Sequence, residues 1–123
     1  MNRIYDLEER LIQFALQGIE VSELLPKTYI GIHFVKQLIR SSSSPTFSYA
    51  EACDAESRND FIHKLKISNK ELREILVCLK IIHRKPLISN SLVESVMKEC
   101  NELISILSRS IKTAKHNQVI QKS

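Results

Sequence analysis

The stretch 41-SSSSPTFSYAEA-52 decides how this chain folds. By composition it is a linker, with four consecutive serines, a proline, and only Phe47 and Tyr49 as bulky apolar side chains. By position it lies between two segments of strong helical periodicity. Upstream, Thr28 is a fitting N-cap, Ile32, Val35 and Ile39 form one stripe, and Phe34 and Leu38 lie beside it. A helix ending at Arg40 would be about half the length of its neighbours and would leave their far ends uncovered. Continued in phase from Ile39, the next positions are Ser42, Thr46, Tyr49 and Cys53, all small except the tyrosine. Small side chains permit close helix approach. Pro45 would bend such a helix and free a carbonyl for a serine hydroxyl or water. The competing reading is a solvated linker. The spacing favours one long helix with a proline kink, from Thr28 to about Cys53.

The flanking segments supply its partners. Ile4, Leu7, Leu11, Phe14, Gly18, Val21 and Leu25 recur at steps of three and four, the pattern of one buried helical face closed by Pro26. In a third segment Ser57 precedes Arg58, with Asp60 in the first turn. Phe61, Leu65, Ser68, Leu72, Ile75, Leu79 and Ile82 then hold a regular stripe, with Ile62 and Leu76 on a second. "HRKP" ends it, basic side chains suiting the dipole and Pro86 preventing continuation. A fourth segment opens with the capping box Ser91-x-x-Glu94 and continues through Val93, Val96, Cys100, Leu103, Leu107 and Ala114. The tail "HNQVIQKS" loses the pattern and is expected to fray. The domain organisation is therefore a bundle over 1–115 and a polar tail over 116–123, and the fold class is all-α, an antiparallel up-down-up-down four-helix bundle.

Composition agrees. The chain has 123 residues, enough for a single core, and only two glycines and three prolines, too few for an all-β chain. No apolar run reaches the roughly 18 residues of a membrane span, and "MNRIYDLEER" carries charges where a signal peptide is apolar. A cytoplasmic protein without membrane partners is expected. The three cysteines, Cys53, Cys78 and Cys100, form no C-x-x-C pair, and Cys78 and Cys100 fall in apolar stripes as core residues.

The stretch from Gln37 to Leu65 resembles the signature of the small bacterial four helix bundle proteins, also called the S23 or 23S ribosomal RNA intervening-sequence protein family. The pattern is a Q-L-x-R motif, a serine and proline in mid-helix, an A-E step, an E-S step and a D/E-F-I-x-x-L-K-I opening. Gln37, Leu38, Arg40, Ser44, Pro45, Ala50, Glu51, Glu56, Ser57, Phe61, Ile62, Leu65, Lys66 and Ile67 match it. "KELREILVCLKII" and "ECNELISILSRSIKTAK" resemble the family's last two helix cores. The resemblance implies an antiparallel bundle assembling as a ring-shaped homopentamer. It also implies genes inside intervening sequences of 23S ribosomal RNA genes, and kinship with accessory proteins of retroelements that bind nucleic acid and a reverse transcriptase.

Charge bears on that partnership independently. The net charge is +4, modestly basic. From His63 to Lys85 there are seven cations, Lys64, Lys66, Lys70, Arg73, Lys80, Arg84 and Lys85, against Glu71 and Glu74, a local balance of +5. The remainder carries 11 basic and 12 acidic residues, so the third segment supplies the whole excess. These residues and Arg40 are the candidate nucleic-acid interface, backbone-directed because no aromatic platform interleaves them. The plainer reading is a solvated face with Glu71 and Glu74 paired to Lys70, Arg73 or Lys80. Arg40 and Glu51, 11 residues apart, stand about 16 Å apart along a helix and cannot pair, so each is expected to find a partner across a subunit contact. Ile12, Phe34, Ile62, Leu76 and Ile104 widen the apolar arc and are the candidate oligomer interface, with a bulkier monomer core as the alternative.

Catalysis finds little support. A di-iron bundle needs Glu-x-x-His on two helices, and the nearest approach is a single Asp60-x-x-His63. Cys53 has no histidine at a useful spacing, and no glycine-rich phosphate loop occurs. No catalytic residue, metal site or cofactor is assigned. The sequence favours a non-enzymatic oligomeric scaffold engaging RNA, DNA or a nucleic-acid-processing partner, with a pure protein-interaction module as the alternative.

Overall fold

The computed structural model describes residues 3–89 and 91–122, with side chains from 7 to 119 apart from 90. Five helices form four rods: α1 (Arg3–Leu24), α2 (Tyr29–Ser41) followed by α3 (Ser44–Cys53), α4 (Arg58–Arg84) and α5 (Leu92–Lys122). Each rod runs antiparallel to the next. α1 touches α2, α3 and α5, α4 touches α2, α3 and α5, and α1 lies diagonally across from α4. The short connections hold because their ends are capped. Thr28 Oγ1 accepts from Gly31 N, Ser57 Oγ accepts from Asp60 N, and Lys85 N donates to the Ile81 carbonyl.

The second rod is bent but unbroken in sense. α2 ends at Ser41, and Ser42 (φ −62°, ψ −33°) and Ser43 (φ −92°, ψ −12°) remain right-handed before α3 begins. Ser42 N still donates to the Leu38 carbonyl at 2.8 Å. The bend therefore precedes Pro45, which sits in the first turn of α3. This follows from proline's geometry: its ring clashes with the carbonyl four residues earlier, that of Ser41, and its missing N–H costs nothing in a first turn. Hydroxyls cover the neighbouring carbonyls, Ser41 Oγ donating to Gln37 O at 2.6 Å and Ser44 Oγ lying 3.4 Å from Arg40 O.

Other hydroxyls tie the bent rod to its neighbours. Thr46 Oγ1 donates to the Leu11 carbonyl of α1 at 3.1 Å, and Ser68 Oγ of α4 donates to the Pro45 carbonyl at 2.8 Å. Ser42 is 1% exposed and lies against Gly18. A Cβ on Gly18 would stand 2.9 Å from the Ser42 Cβ and closer still to its Oγ. Gly18 is thus a contact residue: the rods meet there at backbone distance. The serines are no solvated linker.

The core follows the apolar stripes. Leu11, Val21, Leu72, Leu79, Val93, Val96, Cys100, Leu103 and Leu107 are fully buried, and Phe14, Leu65 and Ile75 nearly so. Ile4 lies outside the residues whose side chains are described. α2 differs from the expectation by one position. Gly31, Phe34, Leu38, Ser42, Pro45, Tyr49 and Ala52 form its buried row, whereas Ile32 and Ile39 face outward at 46% and 56% exposure. That row keeps steps of three and four across the bend, so both halves present one face.

α5 continues as a helix to Lys122, past the point where its apolar pattern stops, and Gln118 Nε2 donates to Asn59 Oδ1 at the start of α4. No proline or glycine interrupts it. No helix among the described residues is long and apolar enough to cross a membrane.

Candidate nucleic-acid interface

α4 carries the site because its buried and exposed residues separate cleanly. Ile62, Leu65, Ser68, Asn69, Leu72, Ile75, Leu76, Leu79 and Ile82 face inward. His63, Lys66, Lys70, Arg73, Val77 and Arg84 are exposed and Lys80 half-buried, at alternating steps of three and four along the opposite face. From Lys66 to Arg84 this row spans about 27 Å. Lys85 is exposed just beyond it.

The acids expected to neutralise the row are engaged elsewhere or stand free. Glu71 Oε1 accepts from Ser48 Oγ at 2.6 Å, drawing that carboxylate toward α3. Neither Glu71 nor Glu74 forms an ion pair with Lys70, Arg73 or Lys80 among the described residues. Lys64 leaves the candidate set: it is half-buried and its Nζ lies 2.8 Å from Glu51 Oε2, which raises its pKa. Arg40 stays exposed on α2, donating to Gln37 Oε1 at 3.0 Å. Glu51 and Arg40 therefore each have a partner within the chain.

A further cationic contribution comes from α5. Lys112 and Lys115 are exposed, three residues apart on one face, and the antiparallel hairpin brings them beside the first half of α4. The side chain of Lys66 touches that of Lys115 and lowers its pKa, through the close amine contact first and the shared positive charge second. Two like charges thus converge, and neither lysine is in an ion pair among the described residues. Beneath, Asn69 Nδ2 donates to Ser108 Oγ at 3.0 Å across the same seam. The sequence did hold this signal, a lysine pair at i and i+3 near the end of the last helix, but only the hairpin shows which face it joins.

The candidate oligomer interface is corrected by burial. Phe34, Ile62, Leu76 and Ile104 are 6–9% exposed within a single chain and belong to its core. Each helix touches more than one neighbour, so a second apolar stripe is consumed inside the bundle. Ile12 is exposed, and it joins Leu16 and Ile19 in an outward apolar row on α1 at 39–52% exposure.

No three His, Cys, Asp or Glu side chains converge as metal ligands among the described residues. Cys53 is exposed, while burial pushes the thiols of Cys78 up to about 11 and Cys100 up to about 12, so both are protonated near neutrality.

A sequence profile of the 23S rRNA-intervening sequence protein family matches residues 5–109. The chain belongs to this family. Its bundle is similar to the crystal structure, at 1.70 Å, of a protein of unknown function from the S23 ribosomal protein family of Bacteroides thetaiotaomicron. The TM-score is 0.79 at 29% identity, covering 86% of this chain and 98% of that one. No curated protein matches the sequence. The crystallised relative of this 23S rRNA-intervening sequence protein is described as a protein of unknown function.

Proposed function

We propose that this protein is a non-enzymatic oligomeric scaffold that holds the sugar-phosphate backbone of RNA or DNA against α4. The observation behind this reading is the row Lys66, Lys70, Arg73, Lys80 and Arg84, joined at one end by Lys115, none of them paired with a carboxylate among the described residues. Neighbouring members stand about 4 to 10 Å apart along the axis. Such a row neutralises phosphates and reads no sequence, because base edges would need groups reaching into a groove and no aromatic ring interleaves the cations. Assembly through the exposed apolar row Ile12, Leu16 and Ile19 would repeat the face around a symmetry axis, pentameric by analogy with the family, and raise affinity by avidity. A nucleic-acid-processing enzyme such as a reverse transcriptase is a fitting further partner.

The test is polarisation of labelled duplex and single-stranded RNA and DNA, in about 50 mM and about 200 mM salt, alongside the mass in solution by light scattering. The expected result is binding without sequence preference that weakens about 40- to 150-fold on duplex between those salts, as three or four phosphate contacts require. Absence of binding at the lower salt overturns the proposal. If assembly persists in that case, the apolar row of α1 favours the second reading, a pure protein-interaction module.

A further inference from the structure

A cleft of about 850 Å³ lies among α1, α3, α4 and α5, and shares no residue with the α4 row. Its floor is apolar, with Leu7, Tyr49, Leu65 and Ala114 buried and Phe61 half-buried. Its rim holds three guanidinium groups, Arg10, Arg58 and Arg109, and no lining residue is acidic. Arg10 is neutralised, its Nη2 lying 2.6 Å from Glu99 Oε1 and 2.9 Å from Glu102 Oε2. Arg58, half-buried, and Arg109, exposed, have no carboxylate partner among the described residues. Burial holds the Tyr49 phenol well above its usual range, so it adds no negative charge. Ser110, Thr113 and Asn117 complete the polar side.

Two uncompensated guanidinium groups above an apolar floor call for a ligand with a doubly charged head and an apolar body. Arginine forks match phosphate oxygens in bidentate geometry, and a partly enclosed, low-dielectric cleft strengthens that attraction. The volume is that of a small-molecule site. We propose that this cleft binds an organic phosphomonoester, its phosphate held by Arg58 and Arg109 and its apolar body lying on Phe61 and Leu65. The same chemistry is offered by a free metabolite and by the 5′-phosphorylated end of a nucleic-acid strand.

Phenyl phosphate, inorganic phosphate and benzyl alcohol serve as probes in isothermal titration calorimetry on the full chain. Phenyl phosphate is expected to bind saturably, at least about tenfold more tightly than either fragment, and R58Q and R109Q are each expected to weaken it about tenfold or more. K70Q/R73Q, in the α4 row, is expected to leave it unchanged, which keeps this site distinct from the proposed nucleic-acid face. Amide shifts of the unaltered protein on adding phenyl phosphate, expected at Leu65 and Ala114, give a readout that needs no variant. Comparing oligonucleotides with 5′-phosphate and 5′-hydroxyl ends separates the sources: a preference for the former on K70Q/R73Q points to a strand end, and no preference to a free metabolite. No saturable heat from phenyl phosphate, equal affinity for inorganic phosphate, or binding indifferent to R58Q and R109Q would each overturn the proposal.

Discussion

The serine-rich bend and the basic face of α4 are both polar, yet they do opposite work. At the bend, Ser41, Ser44, Thr46 and Ser68 spend their hydroxyls on backbone carbonyls; Ser42, whose buried Oγ has no hydrogen-bond partner among the described residues, is there because it is small enough to lie against Gly18. On α4, Lys66, Lys70 and Arg73 are exposed and in no ion pair among the described residues. Short neutral side chains that reach the main chain can be buried, and so become part of the fold. Long charged ones cannot be buried unpaired, and so remain available to a partner. Polar residues that are satisfied inside the chain hold it together; those left unsatisfied at its surface are the place to seek function.

Changes at the bend should therefore damage stability and spare binding, and changes on α4 should do the reverse. The largest effect is expected where the rods touch. Gly18→Val should destabilise the protein by about 3 kcal/mol or more in urea unfolding, because the new side chain overlaps Ser42 and α1 must move. Gly18→Ala sharpens the point: at an exposed helical site it would stabilise by about 1 kcal/mol, whereas here a loss of about 1–2 kcal/mol is expected. A gain would show that the rods are not in contact at Gly18.

Next comes Ser68→Ala, which removes the buried hydroxyl that donates to the Pro45 carbonyl and should cost about 1 kcal/mol. All three substitutions should leave nucleic-acid affinity unchanged under conditions where the variants are folded. On the other side of the comparison, K66Q/K70Q/R73Q should alter stability by no more than about 0.5 kcal/mol while abolishing most of the binding.

A pH series gives a milder effect. The thiols of Cys78 and Cys100 lie above their ordinary value in the folded state, so the unfolded chain releases their protons first as pH rises. Their stabilising contribution is complete below about pH 9 and is lost progressively toward pH 11–12. Tm should therefore fall across that window in the wild type and fall less steeply in C78A/C100A. Identical slopes would show that these thiols are not protected by burial. At neutral pH, a thiol reagent should label Cys53 and spare the other two.

Much of the bundle was legible in the sequence, for physical reasons that particular residues make plain. Val93, Val96, Cys100, Leu103 and Leu107 recur at helical spacing and are all fully buried, because the helix period alone determines which residues share a face. The same rule failed in part on α2, where Ile32 and Ile39 looked like the core stripe but Gly31 lies inside with Phe34 and Leu38, while Ser42, read in phase with them, is buried as expected. Hydrophobicity ranks residues by transfer free energy; a close crossing selects them by size. Phe34, Ile62, Leu76 and Ile104 were misread as an interface for a related reason, since periodicity counts apolar faces but not the neighbours available within the chain to cover them.

On the α4 face, the charge excess was visible in the sequence, whereas its pairing was not. Lys64 differs from Lys66 only in facing Glu51, and Lys115 joins the site only because α5 returns antiparallel beside α4. Arg58 and Arg109 lie 51 residues apart in the sequence, and no spacing rule brings them to one cleft.

The most direct test of the claim that α4 meets the nucleic-acid backbone is the dependence of affinity on salt, measured for the wild type and K66Q/K70Q/R73Q on the same duplex. If the three cations each displace counterions from a phosphate, the slope of log K against log salt should be shallower in the variant by about 3 per duplex-bound face. A variant that bound with the wild-type slope and affinity would contradict the account, because the binding would then lie on some other surface.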